Sequence, residues 1–447
     1  MRPKSPNGAA SARERASGLR PSYREVLREC PDFRLLFSAR VTSLLGDWFS
    51  VLATIALLRE VVGSSAGAIS GMLILRLLPI FLAGPLAGVV ADRFSRKWIM
   101  VLSDVIRVVI VLALIATPLT PWPIGLTYLL IALQVVAGTF FEPARSAALP
   151  QLVPDRYLAT ANALGAVAWS VMFSLGAALG GIVTDLLGWR AALGVDAMTY
   201  VVSAALVWKI RLPRREVRGT RAADWMTLTG LRDFRDGIRF IAGRLDVATV
   251  LFVKAGWGLA GAVTLFLTLF GEREYALAGR PDLGVALLYV ARAVGTGIGP
   301  VLARRIVHDE SPEAMRRLLG AAMLWSCLWY LVFSTVHIWW VAAALVVLAH
   351  FGGSILWVYS TVMLQRMVPD EFRGRVMSTD LGLATLAISA SLWVYGWLAE
   401  SPGADLRLLV RVLALSLLVP AALWWIAAGR WAVGSRRGGE PPSHDPA

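Results

Sequence analysis

The stretch GPLAGVVADRFSRK, from Gly84 to Lys97, closes an apolar run with a Gly-Pro pair and then delivers one acid and three cations between Asp92 and Lys97. A second Gly-Pro string, GPVLA at Gly299–Ala303, closes another apolar run, and Pro300 lies 215 positions after Pro85. Independently, QLVPD (Gln151–Asp155) and RMVPD (Arg366–Asp370) place Pro369 the same 215 positions after Pro154. Gly-Pro turns recur at helix ends by chance. Two ungapped matches in one register indicate an internal duplication.

Outward from these strings the chain is apolar. Its 447 residues are 57% hydrophobic and 17% charged, with a mean hydropathy of +0.63. Soluble proteins carry about 25% charged residues, so this chain has too little polar material to clothe a globular surface. A helix of about 20 apolar residues crosses a bilayer. Runs near 35–58, 67–91, 98–117, 122–141, 158–184, 188–209, 247–270, 283–305, 318–336, 339–362, 376–399 and 407–428 predict twelve transmembrane helices in two groups of six. With a cytoplasmic N-terminus, 33 Lys and Arg fall on the inner side and 5 on the outer, as the positive-inside rule requires. The net charge of +14 is therefore topology, and nucleic acid is not an expected partner. Trp122, Trp189, Trp339 and Trp340 fall at outer edges, and Trp98, Trp208 and Trp431 at inner ones, as an aromatic belt. Cys30 and Cys327 supply neither a disulfide framework nor a metal motif. No signal peptide opens the chain, no Walker A string implies ATP, and no cofactor or metal is expected.

The expected organisation is all-α: a cytoplasmic tail (1–33), a six-helix bundle (34–210), a middle loop (211–246), a second six-helix bundle (247–428) and a cytoplasmic tail (429–447). Six spans return each half to its starting side, so the halves are parallel repeats with a substrate site between them near the midplane. In the middle loop Leu228, Leu231, Phe234, Ile238 and Ile241 recur at helical spacing opposite Arg232, Arg235 and Arg239, predicting an amphipathic interfacial helix.

The segment Gly88–Met100, GVVADRFSRKWIM, resembles the G-x-L-A-D-R-x-G-R-K signature of the major facilitator superfamily between helices two and three. Gly88, Ala91, Asp92, Arg93, Arg96 and Lys97 match, with Val90 in place of Leu and Ser95 in place of the second Gly. The resemblance implies that this loop latches the two halves on the cytoplasmic side. Gly88 would permit close helix approach, and Asp92 would bind the nearby cations. FFEPARSAALPQLVP (Phe140–Pro154), WRAALGVDAMTY (Trp189–Tyr200), VPDEFRGRVMS (Val368–Ser378), LLGDW (Leu44–Trp48) and LRLLP (Leu75–Pro79) look like the drug:proton antiporter branch that includes macrolide and siderophore exporters. That branch often carries G-x-x-x-G-P-x-x-G-G in its fifth helix. Here Gly176, Gly180 and Gly181 stand as packing glycines, but Ala177 replaces the Pro.

Charges within spans are the functional candidates, since each costs about 2.5–3.5 kcal/mol at mid-bilayer on insertion scales. Asp47, about twelve residues into the first span, is the leading proton-coupling candidate, with a buried ion pair as its structural alternative, and Asp196 is second. Arg76 and Arg292 occupy nearly repeat-related positions and suit an anionic substrate group or, preferably, structural pairing. Asp104 and Arg107 share a helix face and are assigned to the latch, together with Glu142, Arg145, Arg373, Arg375 and Asp380. Lys254 is expected to snorkel, and His350 to be a hydrogen-bonded core histidine with the pKa range of a switch. Trp48, Trp169, Trp257, Trp325, Trp357 and Trp393 are candidates for a cavity lining.

These residues and the resemblance together imply a secondary transporter rather than an enzyme. The expectation is a monomeric, multi-pass protein of a bacterial plasma membrane. It would exchange protons for a hydrophobic or amphiphilic small molecule by alternating access. An importer or uniporter of the same fold, and a non-transporting scaffold or lipid-handling protein, are the rivals.

Overall fold

The computed structural model of the chain describes residues 22–212, 231–306 and 311–437. Leu228 and the side chains of Asp92, Leu231, Arg232, Phe234 and Trp431 lie outside the described set. The chain runs through α1 (Tyr23–Glu29), α2 (Pro31–Val62), α3 (Ala66–Leu75), α4 (Leu78–Arg93), α5 (Arg96–Ala116), α6 (Pro123–Leu152) and α7 (Asp155–Lys209). It continues with α8 (Leu231–Ala242), α9 (Leu245–Gly258), α10 (Val263–Arg273), α11 (Pro281–Ile306) and α12 (Pro312–Phe333). The last helices are α13 (Trp339–Met367), α14 (Asp370–Glu400), α15 (Leu406–Ser416) and α16 (Leu418–Arg437).

Among the described residues, ten helical stretches are long and apolar enough to cross a membrane. The twelve expected runs map onto them with two differences. The runs 158–184 and 188–209 are joined in α7, and the run 318–336 lies in α12, where Arg316, Arg317 and the amphipathic rings of Trp325, Trp329 and Tyr330 dilute the hydropathy. Gly188 interrupts α7 with φ 81° and ψ 161°, a conformation open essentially to glycine alone. Both arms of α7 meet the same turns of α2. A Cβ at Gly176 would touch Trp48 and one at Gly180 would touch Phe49, while a Cβ at Gly46 would strike Thr199 and Asp196. The chain therefore reverses at Gly188.

Three stretches are broken where the sequence removes backbone donors or side chains. Pro79 sits in the first turn of α4, and the chain leaves regular helix at Arg76 and Leu77. GWGLAGA separates α9 from α10, and the Ser391 hydroxyl repairs the gap by accepting from Ala262 N (3.1 Å) and donating to Leu259 O (2.6 Å). The break at Leu417 divides α15 from α16. The repeat register reappears in the backbone. Pro154 (φ −58°, ψ 152°) and Pro369 (φ −57°, ψ 151°) cap α7 and α14 with nearly identical dihedrals, and Pro85 and Pro300 lie inside α4 and α11.

α5 shows how the helices face their surroundings. Leu102, Val105, Ile106, Val109 and Leu112 are exposed, whereas Ser103, Asp104, Arg107, Val111 and Leu114 are buried. Apolar out and polar in suits a helix whose outer solvent is lipid. Trp98, Trp122, Trp208, Trp339 and Trp340 are exposed as expected of a belt, but Trp189 is buried and donates to Glu60 Oε2 at 2.6 Å. A nearby carboxylate has turned that indole inward. Two seams join early helices to late ones: α7 on α11, where a Cβ at Gly181 would meet Ala286, and α3 on α14, where one at Gly396 would meet Ser70.

Candidate functional site

Between the two seams lies a cavity of about 1160 Å³ lined by residues of α2, α4, α5, α6 and α7 and of α9, α10, α11 and α14. Its lining runs from Arg76, Tyr289 and Arg292 to Gly88, Glu142 and Gly374. Six of the expected cavity or coupling residues line it: Asp47, Trp48, Arg76, Trp169, Trp257 and Arg292.

One side of the wall is a continuous polar network. The Arg107 guanidinium donates to Asp104, which is fully buried, and through Nη1 reaches Asp47 Oδ1 at 3.5 Å and Ser43 Oγ at 3.4 Å. The Tyr200 hydroxyl donates to Asp47 Oδ1 at 2.7 Å, and the Arg107 guanidinium lies over the Tyr200 ring at 4.1 Å. Gln134 Nε2 donates to Tyr200 (3.1 Å) and towards Asp196 Oδ2 (3.4 Å). Ser50 links Gln134 to Arg76, whose Nη2 donates to Ser50 Oγ at 3.1 Å and Thr54 Oγ1 at 3.3 Å. Asp47 retains 36% side-chain exposure to the cavity, whereas Asp196 is fully buried and its Oδ1 has no hydrogen-bond partner. Asp104 and Arg107 thus sit with Asp47, and not with the loop residues to which sequence spacing assigned them. They lie two to three turns up α5, which is enough to reach the cavity wall.

The opposite wall is sparser. Arg292 Nη1 donates to Thr264 Oγ1 at 2.9 Å, just beyond the α9–α10 break, and the guanidinium lies 5.5 Å from the Phe173 ring across the α7–α11 seam. Neither Arg76 nor Arg292 has a carboxylate within ion-pairing distance among the described residues, and each leaves a buried Nε unsatisfied. The preferred expectation of structural pairing is corrected for both, since each is held by hydroxyls. His350 is buried, with Tyr330 Oη 2.8 Å from its Nδ1. Lys254 does not snorkel. Its ammonium is 3% exposed, paired with Asp380 and bonded to Thr361 Oγ1 at 2.7 Å. Asp380 is correspondingly drawn away from the loop residues.

At the loop end, Arg96 Nη1 donates to Ala147 O (2.6 Å) and Lys97 Nζ to Ile210 O (3.0 Å), tying the start of α5 to α6 and to the end of α7. Glu142 is clamped by Arg40 (2.6 Å) and Arg145 (3.0 Å). Arg373 Nη2 approaches Val368 O at 3.4 Å, and the Arg375 guanidinium lies 5.7 Å from the Phe372 ring. Gly88 lines the cavity, and a Cβ there would meet nothing within 4 Å. Close helix approach is therefore not its role in this arrangement, because the cavity separates the helices. Arg93 is half-buried beside it. Trp325 and Trp393 face outward, and Trp357 packs on Trp257, so these three do not join the lining.

The far end is shut by charges that sequence reading had only counted. Arg59 makes two contacts to Asp282 (2.7 and 2.8 Å) and one to Glu272 (3.2 Å). Arg280 pairs with Asp185 at 2.8 Å, Arg273 donates to Ser64 O at 2.5 Å, and Glu400 accepts from Gly67 N at 2.9 Å. Sequence reading also missed Gln134, Tyr200, Thr264 and Tyr289. Gln134 carried one usable signal, as an amide inside an otherwise apolar run.

The sequence profile of the Major Facilitator Superfamily matches residues 36–379. The chain is 24% identical over 382 residues to the MFS-type transporter YfiS of Bacillus subtilis, covering 84% of this chain and 88% of that one. It is 27% identical over 352 residues to the putative bacilysin exporter BacE of Bacillus amyloliquefaciens, covering 78% and 84%. In fold it is similar to a bacterial homologue of the human lysosomal transporter Spinster, solved inward-facing and unoccupied. There the TM-score is 0.67 at 15% identity, over 89% of this chain and 97% of that one. It is likewise similar to the D-xylose–proton symporter, with a TM-score of 0.65 at 13% identity over 90% and 98%. A helical chain built round a charged central cavity, matched by this profile over most of its length, belongs to the Major Facilitator Superfamily.

Proposed function

We propose that the protein is a proton-coupled exporter of a hydrophobic or amphiphilic small molecule, working by alternating access. The Asp47–Arg107–Tyr200 cluster on the cavity wall is the observation that carries this reading. The cluster and its neighbours hold three carboxylates, Asp47, Asp104 and Asp196, against two guanidiniums, Arg76 and Arg107. One proton balances that count. A proton taken by Asp47 from the cavity weakens its bond to Arg107, and the hydrogen-bonded bridge of Tyr200 and Gln134 ties that change to Asp196. A cluster one proton from charge balance suits an exchange of proton for substrate. The aromatic walls at Trp48, Trp169 and Trp257 suit an apolar cargo. The similarity to a putative bacilysin exporter supports efflux.

In this reading the chain has twelve spans with both termini cytoplasmic, two six-helix bundles at 34–210 and 247–428, and a strap between them. α8 supports the strap, since Phe240 stacks on Phe372 at 4.6 Å. The open end is cytoplasmic, and Gly88–Lys97 latches it when the carrier turns outward. A scaffold or lipid-handling role is disfavoured by a cavity lined with both charges and indoles. The test is gradient-driven transport and counterflow in proteoliposomes, with substrate drawn from a screen in an efflux-deficient host. Asp47→Asn is expected to abolish gradient-driven export while preserving insertion and counterflow. Undiminished coupled export in that variant would overturn the assignment.

A further inference from the structure

Among the described residues, no carboxylate stands beside Arg292. Arg107 is matched by Asp47 and Asp104, Arg40 and Arg145 by Glu142, and Lys254 by Asp380. Arg76 lies within electrostatic reach of Asp47 and Asp196. Around Arg292 the interacting groups are the phenols of Tyr289 and Tyr330, the imidazole of His350 and the ring of Phe173. Thr264 occupies one guanidinium nitrogen, and the buried Nε has no acceptor. A planar guanidinium offers a fork of donors that fits a carboxylate or phosphate. Such a fork, facing a cavity with no carboxylate beside it, is fitted to receive an anion.

We propose that Arg292 is the anion-binding group of the transport site. The carboxylate or phosphate of an amphiphilic substrate docks on its guanidinium, and the apolar body lies against Trp48, Trp169 and Trp257. This deepens the transporter reading, on which it rests, by fixing the substrate class: amphiphilic anions or zwitterions, with cations and neutral molecules held less well. Substrate charge then completes the electrostatics of the late helices, as the exchanged proton does for the early ones. The same chemistry has two sources, a soluble organic acid or the phosphate of a lipid headgroup.

The experiment is ligand-dependent thermal stabilisation of the purified full-length protein in neutral detergent, with no gradient present. The probes are 3-phenylpropionate, 3-phenylpropanol and 3-phenylpropylamine, alike in shape and different in charge, with dioctanoyl phosphatidylglycerol as a fourth. The expected result is stabilisation by the acid at concentrations where alcohol and amine are inert. Its apparent affinity should fall at least tenfold in Arg292→Gln and partly recover in Arg292→Lys. Stabilisation by the phosphatidylglycerol alone, with the same dependence on Arg292, would confirm the anion site but overturn the soluble-acid assignment in favour of a headgroup. Equal effects of acid and alcohol on the wild-type protein would overturn the proposal even if Arg292→Gln failed to fold. So would unchanged acid binding in a folded Arg292→Gln. Transport itself is judged separately by counterflow, so loss of one conclusion does not decide the other.

Discussion

Arg107 is buried on the cavity wall between two carboxylates, and each partner answers a different need. Asp104, fully buried, neutralises the guanidinium in a place where water cannot. Asp47, with 36% of its side chain exposed, is the partner that faces the cavity. Removing one member of a buried pair strands the other, typically at about 3–5 kcal/mol. Arg107→Gln is therefore expected to lower the melting temperature sharply and to reduce recovery of folded protein. Arg107→Gln combined with Asp104→Asn should regain most of that loss, because the net charge of the cluster is then the same as in the wild type. A double variant no more stable than the single one would show that Arg107 acts through packing on Tyr200 and Phe141 instead. The charged members of this site were legible in the sequence, because charge in an apolar run is conspicuous. Their pairings were not. Spacing along α5 joined Asp104 to Arg107 correctly, but only the approach of α2, α6 and α7 brings in Asp47, Gln134 and Tyr200.

Helices here take their ends and breaks from local chemistry. Gly188 turns the chain in a backbone region that costs other residues about 1–3 kcal/mol. Gly188→Ala is expected to destabilise the protein by that order, read as a lower melting temperature with the transport mechanism intact. Apolar length alone counts the run 158–209 as one element, because no polar loop separates the two helices that meet at this glycine. Gly181 tests a different property, the closeness of α7 to α11. A Cβ there would stand 2.2 Å from that of Ala286. Gly181→Val is expected to wedge the seam and cut transport several-fold while leaving each helix formed, which circular dichroism and uptake assays would show together. The glycines at 176, 180 and 181 were visible as a packing motif. That two face α2 and one faces α11 was invisible, since a helical face has no label until its neighbours are placed.

Across the whole molecule, the duplication read from two Pro-anchored strings survives as paired caps and paired internal prolines. The number of apolar runs was legible, but which would stand as separate helices was not, because tryptophan, tyrosine and arginine lower the hydropathy of a helix that packs well. The cations at the closed end were only a count in the sequence, whereas in the fold Arg59, Arg273 and Arg280 bridge early and late helices. Arg59→Gln is expected to loosen that closed end. A cysteine placed at Thr268, which is buried beneath it, should then react faster with an impermeant maleimide added from the Arg59 side. An unchanged rate would assign closure to the packing of α3 on α14.

Asp47 and Arg59 are twelve positions apart on one helix, a rise of about 18 Å. Water filling the cavity carries the potential of the side it opens to as far as Asp47. Most of the transmembrane voltage must then fall across the short plug from Tyr289 to Arg59, where it is worth about 2.3 kcal/mol per charge per 100 mV. The carrier is thus a capacitor with a thin dielectric at its shut end. In the proposed proton-coupled cycle, a proton crossing that layer would move through most of the field in one step, and turnover is expected to respond to voltage as well as to pH.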